Sequence, residues 1–315
     1  MSYVNGRYAA LDIGTVTCRM LVADVHDGTL TELDKEYRIT DLGVGVDATG
    51  RLQPAAMERV MAAVDDYLAV LAQFDTVEHP VRRLIAMATS AARDASNADE
   101  FTALLAARGV TLTVIPGQRE AALTFAGASS DFPGENLLVV DIGGGSTEVV
   151  AGRAGADPLV SHSFDIGCRR VTERFFHSDP PTTDQMAAAR QWIREEMTAY
   201  FGDLAARGFA IERLVAVAGT ATSVVSIREE MAVYDSARVH KAVVTAEQLR
   251  AITDRLAALP VVERERTVGL DPKRAGVIVA GFIILEEVLR LADATEYTVS
   301  ESDILNGMIL EAARA

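Results

Sequence analysis

Two pairs of similar segments, spaced by a nearly constant interval, constrain the fold of this chain most strongly. Residues 9–17 (AALDIGTVT) align with residues 138–146 (LVVDIGGGS), and both indicate an apolar strand that runs into Asp-Ile-Gly. Residues 84–91 align with residues 214–221, and each is a buried-strand run followed by a small-residue turn that opens a helix. The two offsets are 129 and 130 residues. A repeat of this length predicts two homologous halves.

The order of the predicted elements is similar in the two halves. Each half begins with a meander of three strands, predicted at 7–13, 18–26 and 29–39 and again at 136–141, 146–152 and 158–164. Alternating helices and strands follow, predicted in the first half at 54–73, 82–88 and 98–108, and in the second at 169–176, 183–206 and 213–218. This pattern predicts an α/β architecture with a mixed sheet in each half and a cleft between the halves.

The best boundary between the halves lies within residues 128–136, where small, polar and turn-forming residues gather. We therefore predict an N-terminal domain of residues 1–128 and a C-terminal domain of residues 129–302. The tail, residues 303–315, has the pattern of a short amphipathic helix that crosses back over one of the halves. We assign it to the first half.

The net charge of the chain argues against some classes of binding partner. The 315 residues include 45 acidic and 30 basic ones, which gives a formal net charge of −15, and no run of basic residues exceeds two. Such a surface would repel nucleic acid, so we predict no nucleic-acid partner. The chain shows no signal-peptide pattern and no apolar run of about 18 residues, so we predict a soluble cytoplasmic protein without a membrane partner.

Two glycine-containing turns, at residues 12–17 and 141–147, have the composition of phosphate-binding loops. The second, Asp-Ile-Gly-Gly-Gly-Ser-Thr, places three glycines directly after a strand. Glycine allows positive φ and lets backbone N–H groups converge on an anion, and Ser146 and Thr147 add hydroxyl donors. An ordinary β-hairpin needs only one or two of these glycines. Repetition of the motif favours the phosphate site.

Charged residues accompany both turns. Asp12 and Asp141 end apolar strands, where burial of a carboxylate is costly without a partner. Each either caps its own hairpin or helps to hold Mg²⁺ together with phosphate oxygens. Seven residues later the first half has Arg19 and the second has Glu148. The guanidinium suits phosphate and the carboxylate suits a metal or a water, whereas solvent-facing strand residues are the alternative for both.

Glu120 lies in the first turn of a predicted helix just before the second hairpin. An acid at this place is common because it interacts favourably with the helix dipole. A carboxylate near the junction of the two halves is also able to accept a proton from an attacking water. Both interpretations of Glu120 stay open on the sequence alone.

Six motifs in order along the chain resemble the exopolyphosphatase / guanosine pentaphosphate phosphohydrolase (Ppx/GppA) family. They are DIGT with Arg19, ATSAARDASN at 88–97, GQREA at 117–121, DIGGGSTE at 141–148, GCRR at 167–170 and AGTAT at 218–222. The resemblance covers nearly the whole chain. It implies duplicated ribonuclease H-like domains, of the actin, Hsp70 and sugar-kinase type, around a central cleft.

The resemblance also implies roles for individual residues. Glu120 is similar to the catalytic base, and Asp141 and Glu148 resemble acidic catalytic residues that serve the metal and the water. The implied metal ligands are Asp12, Asp141 and Glu148, with Mg²⁺ as the ion and Mn²⁺ as its alternative. The implied phosphate-binding residues are those of the two loops, one arginine and a later turn: Gly14, Thr15, Thr17, Arg19, Arg93, Gly143, Gly144, Gly145, Ser146, Thr147, Gly219 and Thr220.

Three positions depart from the pattern of the family. Val16 stands where many relatives have Asn, Gly276 where Asp is common, and Asn306 where Arg is frequent. None of the implied base, metal or second-loop residues is lost, so the resemblance still implies activity. The chain is similar to the short, two-domain form of the family, without a helical C-terminal extension.

The resemblance implies a hydrolase that removes the terminal phosphate of inorganic polyphosphate. Guanosine pentaphosphate is the alternative substrate. A non-catalytic sensor of polyphosphate or guanosine tetraphosphate and an ATP-dependent kinase of the same superfamily are competing hypotheses, and the intact Glu120 favours the hydrolase. A homodimer is compatible with the resemblance.

The arginines suggest a division of labour within a local cationic patch. We expect Arg93 to serve the terminal phosphate of every substrate, and Arg170 to contact mainly long chains. Arg174 either belongs to the same patch or is a solvated surface residue.

Overall fold

The computed structural model describes residues 2–315, which form two compact units. The first unit comprises the chain up to Gly127 together with Ser302–Ala315, and the second comprises Ala128–Glu301. Each unit contains one mixed sheet, so the α/β architecture predicted from the repeat is confirmed. Among the described residues, no helix has the length and apolar character needed to span a bilayer.

The sheet of the first unit has five strands, both faces of which are buried. They are β1 (Gly6–Ile13), β2 (Thr17–His26), β3 (Thr29–Ile39), β4 (Val81–Ala88) and β5 (Leu112–Val114). Their order is β3-β2-β1-β4-β5, antiparallel from β3 to β1 and parallel from β1 to β5. Because side chains alternate along a strand, Ala9 and Leu11 of β1 face one core while Tyr8 and Ala10 face another.

Helices cover both faces of this sheet. In chain order they are α1 (Val46–Thr49), α2 (Pro54–Phe74), α3 (Ser90–Asp94), α4 (Ala98–Ala106) and α5 (Gly117–Ser129). Residues of α1 to α4 share the core that contains Leu11, whereas Leu123 of α5 lies in the core that contains Ala10. Pro54 begins α2, where its fixed φ and missing N–H cost nothing.

The sheet of the second unit repeats this arrangement and adds an edge strand. Its strands are β6 (Asn136–Ile142), β7 (Thr147–Arg153), β8 (Val160–Phe164), β9 (Arg213–Val217), β10 (Val243–Thr245) and β11 (Glu296–Val299). The order is β10-β11-β9-β6-β7-β8. The series β8-β7-β6-β9-β11 has the same directions as the five strands of the first sheet, and β10 pairs antiparallel with β11.

One helix with a long apolar run lies in the core of the second unit. The helices are α6 (Cys168–Phe175), α7 (Thr183–Ala206), α8 (Ala218–Arg228), α9 (Ser236–Val239), α10 (Ala246–Ala257), α11 (Val261–Arg264) and α12 (Ile278–Leu291), with a 3₁₀ turn at Pro272–Arg274. Every residue of α12 from Ile278 to Leu285 is buried, as expected of a helix that is apolar on all sides.

The last helix, α13 (Ile304–Ala312), belongs to the first unit. It begins with a capping box, in which Asp303 and Asn306 satisfy each other's backbone N–H groups. Ile304, Leu305 and Met308 join the core on the face of the sheet that α5 also covers. The tail is therefore helical, as its pattern predicts.

The predicted elements match the structure to within one or two residues at their ends. The helix predicted at 98–108 ends at Ala106, and the strand predicted at 158–164 begins at Val160. The strand predicted at 213–218 ends one residue early because Ala218 has a φ of 61° and begins α8. The sequence predicts no bounds for β10, β11 and α9 to α12, because the two aligned pairs of segments end before them.

Candidate functional site

The first glycine turn connects β1 to β2 and is closed by backbone hydrogen bonds. The Gly14 N–H donates to the Thr17 carbonyl at 2.8 Å, and the Thr15 carbonyl accepts from the Gly43 N–H at 2.8 Å. The Val16 carbonyl accepts from the N–H groups of residues 40 and 41, and the Val16 side chain is buried. Gly14, Thr15 and Thr17 therefore lie together in one fixed turn, and Val16 fills the core beneath it.

A buried arginine lies between two buried carboxylates next to this turn. Asp12 and Arg19 are paired across β1 and β2. Asp12 Oδ2 accepts from Arg19 Nη2 at 2.6 Å and from Nε at 3.1 Å. Arg19 Nη1 donates to Asp303 Oδ2, at the start of α13. Arg19 is the predicted phosphate ligand, and the structure gives it the additional task of joining two acids.

The two carboxylates differ in how readily they hold a negative charge. Burial raises the pKa of Asp12 despite the neighbouring guanidinium. Burial also acts to raise the pKa of Asp303, but Arg19, Lys35 and the Leu305 N–H together keep it below its usual range. The hydrogen bonds explain the difference, since Asp303 Oδ1 accepts from the Leu305 N–H at 3.0 Å, whereas the buried Asp12 Oδ1 has no hydrogen-bond partner among the described residues.

Glu120 and Arg93, predicted separately, lie side by side in the first unit. Glu120 is in the first turn of α5 and is 8% exposed. Arg93, at the end of α3, donates through Nη1 to the Ile115 carbonyl at 3.1 Å and lies 3.4 Å from Glu120 Oε2. The guanidinium is thus anchored to the backbone and fixes the orientation of the carboxylate.

The second glycine turn connects β6 to β7 and places two acids directly opposite each other. Asp141 pairs in register with Glu148, and both are buried. Glu148 Oε1 accepts a hydrogen bond from Ser163 Oγ at 2.7 Å. Across antiparallel strands such side chains are about 5 Å apart, a distance at which two negative charges destabilise the pairing. A cation at this position would relieve that repulsion.

The carbonyls of the triple-glycine loop point towards the start of α6. The Cys168 and Arg169 N–H groups donate to the Gly143 and Gly144 carbonyls at 2.9 Å, and Arg170 Nε donates to the Gly145 carbonyl at 3.0 Å. In a trans peptide the N–H points opposite to the C=O. The N–H groups that follow these carbonyls therefore point away from α6, as an anion-binding backbone requires.

Two residues that are predicted to bind phosphate stabilise the loop through hydrogen bonds of their hydroxyl groups. The Thr147 hydroxyl donates to the Ile166 carbonyl, and the Thr220 hydroxyl donates to the Ile142 carbonyl at 3.1 Å. Both hydroxyl protons are therefore used within the second unit, which differs from the direct binding that the resemblance implies. Gly219 lies against the Arg274 guanidinium, which occupies the space of a Cβ at this residue.

The acids beside the second glycine turn fit a metal that takes few protein ligands. Among residues 2–315 no group of three or more His, Cys, Asp and Glu side chains is placed to hold a metal ion. The facing pair Asp141 and Glu148 nevertheless supplies two carboxylates within the second unit. Mg²⁺ commonly uses one or two carboxylates and completes its shell with water and phosphate. The residues present fit such an ion.

Comparisons with known proteins show the family of this chain. The model of the Ppx/GppA phosphatase family matches residues 21–315. The chain belongs to this family. Exopolyphosphatase 2 of Mycobacterium tuberculosis is 39% identical over 98% of this chain and 98% of its own length. The family predicted from the six motifs is therefore confirmed.

Solved structures of the Ppx/GppA family have the same architecture. The Aquifex aeolicus Ppx/GppA enzyme superposes with a TM-score of 0.81 at 29% identity, covering 98% of this chain and 99% of the other. An exopolyphosphatase from Cytophaga hutchinsonii superposes with a TM-score of 0.87 at 25% identity and covers 98% and 99%. The chain has the duplicated, actin-like ribonuclease H fold, and the expectation of a phosphatase-type enzyme is confirmed at the level of the family.

Sequence reasoning missed two residues of this site. Ser163 lies on β8 and Asp303 precedes the last helix, and neither stands in one of the six motifs. Asp303 carries a weak signal, because Asp followed three residues later by Asn is a typical helix start. That signal predicts a cap and gives no reason to place the cap beside Arg19, 284 residues earlier.

The packing of Gly167 against the loop generates a prediction. A Cβ at Gly167 would lie 2.2 Å from the Gly144 carbonyl oxygen, so Gly167→Ala must displace the loop. We expect a folded protein with affinity for tripolyphosphate reduced about 10²-fold, the scale of a 1 Å misplacement. Titration calorimetry and circular dichroism measure the two properties. Gly202→Ala in α7 is the control, because its Cβ meets nothing within 4 Å; equal affinity in both variants would contradict the prediction.

Proposed function

We propose that this Ppx/GppA protein hydrolyses the terminal phosphate of inorganic polyphosphate. The observation that carries the proposal is the loop at 143–146, where the carbonyls of residues 143–145 bond to residues of α6, so that the N–H groups of residues 144–146 point away from that helix. Backbone N–H groups of this kind bind phosphate oxygens without a net positive charge. The identity of 39% to a relative named exopolyphosphatase supports polyphosphate as the substrate class.

Glu120 is the residue we assign as general base. Its carboxylate is buried and oriented by Arg93, which is itself bonded to the Ile115 carbonyl. Hydrolysis of a phosphoanhydride passes through a loose transition state, so the protein mainly positions the water and neutralises the equatorial oxygens. Glu120 would orient the attacking water and accept its proton, while the loop N–H groups hold the phosphate oxygens.

Asp141 and Glu148 are the residues we assign to Mg²⁺, with Mn²⁺ as the alternative ion. They are two buried carboxylates that face each other across β6 and β7. When bound, the ion would neutralise charge on the phosphate oxygens. Ser163 fixes one oxygen of Glu148 by its hydrogen bond. Glu148 would therefore keep its orientation when the ion binds.

Val16, one of the three departures from the family pattern, does not open the first loop. It is 4% exposed, and its carbonyl accepts two backbone hydrogen bonds. The first loop is thus closed by its backbone and does not depend on an amide side chain at this position. Guanosine pentaphosphate stays the second candidate substrate, because the family description joins both activities.

Phosphate release from four compounds tests the proposal. The substrates are short polyphosphate, long polyphosphate, guanosine pentaphosphate and ATP, each with and without Mg²⁺. The proposal requires metal-dependent release from polyphosphate that exceeds release from the two nucleotides. Release mainly from guanosine pentaphosphate would favour the second candidate, and binding of polyphosphate without any release would favour the sensor.

Glu120→Gln should lower turnover of polyphosphate about 10²-fold or more, the usual scale for loss of a general base. The change is nearly isosteric, so thermal stability and tripolyphosphate affinity should barely move. Glu100→Gln is the matched control, because Glu100 lies in the first turn of α4 and pairs with Arg51 at 3.1 Å. Steady-state kinetics measure the turnover of both variants on polyphosphate. Wild-type turnover in Glu120→Gln would rule out Glu120 as the base.

The contacts of Arg170 and Arg174 support a different division of labour from the one expected between Arg93 and Arg170. Arg170 Nε bonds to the Gly145 carbonyl, so Arg170→Ala should disturb the loop and impair substrates of every length. Arg174 is exposed and lies over the ring of Trp192, with its Cζ 4.4 Å from the ring centroid. An exposed guanidinium held in this way suits distal phosphates of a polymer.

Arg174→Ala should therefore lower the affinity for long polyphosphate more than the affinity for short polyphosphate. It should also reduce the slope of log affinity against log salt by about 0.7, the value of one phosphate contact on a flexible strand. Arg207→Ala is the control, since Arg207 is exposed and pairs only locally with Asp203. Affinities for short and long chains at two salt concentrations measure the effect. Equal losses on both chain lengths would contradict a distal contact.

A further inference from the structure

The Arg19 guanidinium is fixed from two sides. On one side, Asp12 Oδ2 accepts from both Nε and Nη2, at 3.1 and 2.6 Å. On the other side, Nη1 donates to Asp303 Oδ2, which is on a different element. Asp12 alone would hold the guanidinium through a single carboxylate oxygen, about which it could pivot. The contact to Asp303 removes that freedom and thereby also fixes Asp12.

Asp303 is itself held rigidly. It is 2% exposed, and its Oδ1 accepts from the Leu305 N–H at 3.0 Å as the N-cap of α13. Its own N–H donates to Asn306 Oδ1 at 3.2 Å. One oxygen therefore belongs to the helix and the other to Arg19, so any shift of α13 is transmitted to the first turn.

The same part of α13 is in close contact with α5, the helix that carries Glu120. A Cβ at Gly127 would lie 1.9 Å from the Asp303 carbonyl oxygen, and a Cβ at Gly307 would lie 1.9 Å from the Leu123 carbonyl oxygen. The two backbones therefore touch at two glycines, where no side chain separates them. The start of α13 contacts both the first turn, through Arg19, and the helix of the proposed base.

We propose that Asp303 is a positioning residue, which acts through Arg19 to hold Asp12 and the first glycine turn in the geometry needed for phosphoanhydride hydrolysis. The inference rests on the proposed function for its effect on turnover, but the coupling between Asp303 and Arg19 is a property of the first unit alone. Arg19 cannot act only as an attractor of phosphate, because two carboxylates already share its charge.

Asp303→Asn separates this role from the role as a helix cap. Asn is as good an N-cap as Asp, so α13 should still form, whereas the charge opposite Arg19 is lost. We expect kcat on tripolyphosphate to fall about 10-fold while KM changes less than about 3-fold, because transition-state alignment depends on such geometry more than ground-state binding does. Asp303→Ser, which also caps, should show the same loss.

Glu311→Gln is the matched control on the same helix. Glu311 pairs with Arg119 of α5, so this variant also replaces a carboxylate of α13 by an amide and breaks an arginine ion pair. It leaves Arg19 untouched, and we expect wild-type kcat. A similar loss of kcat in Glu311→Gln and Asp303→Asn would mean that the loss comes from a less rigid α13 and not from the contact with Arg19. That result would overturn the proposal.

A double-mutant cycle with Arg19→Lys tests whether Asp303 acts through Arg19. Lysine keeps the charge but lacks the fork needed to touch both acids. If Asp303 acts through that fork, Asp303→Asn should cost little more in an Arg19→Lys background, so the losses do not add. Fully additive losses in kcat would overturn the proposal.

A measurement without substrate separates this inference from the proposed function. The Arg19 Nε–H resonance in ¹⁵N-labelled protein should exchange with solvent faster in Asp303→Asn than in wild type, and should be unchanged in Glu311→Gln. If the wild type released no phosphate from polyphosphate, the proposed function would fail, while this comparison would still test the coupling. Unchanged exchange in Asp303→Asn would overturn the coupling itself.

Discussion

A carboxylate at the end of a buried strand needs a partner, and the two halves of this chain meet that need in opposite ways. Asp12 and Asp141 occupy equivalent positions at the ends of β1 and β6. In the first half the residue directly across the hairpin is Arg19, which neutralises the acid. In the second half it is Glu148, which doubles the negative charge. One register position therefore gives the acid of the first turn a cationic partner and places a second acid beside that of the second turn.

The scaffold makes this difference effective because it is the same in both units. The order β3-β2-β1-β4-β5 returns as β8-β7-β6-β9-β11, with a glycine turn after the first strand of each sheet. Identical strand directions put the acid and its cross-strand partner at the same place in each hairpin. A duplicated fold has thus kept its backbone and diverged in the side chains that determine the chemistry.

The sequence predicts this scaffold well because the repeat is local. Each strand ending in Asp-Ile-Gly can be recognised within ten residues, and the cross-strand partner seven residues later follows from hairpin geometry. The contact between Arg19 and Asp303 spans 284 residues and follows from no local rule. Thr147 and Thr220 show the same limit, because their hydroxyls donate to carbonyls that only the folded second unit brings near.

The distribution of arginine contacts explains how a chain with a net charge of −15 presents anion sites. Arg19 bonds to two carboxylates, Arg93 lies against Glu120 and a carbonyl, and Arg170 bonds to the carbonyl of Gly145. These guanidiniums orient acids and backbone, so much of their charge is already compensated. In the function we propose, phosphate affinity would then depend mainly on backbone N–H groups, which are neutral dipoles and act at short range. An acidic surface weakens such a site far less than it would weaken one built on long-range attraction, because dipolar contacts need no excess of positive charge.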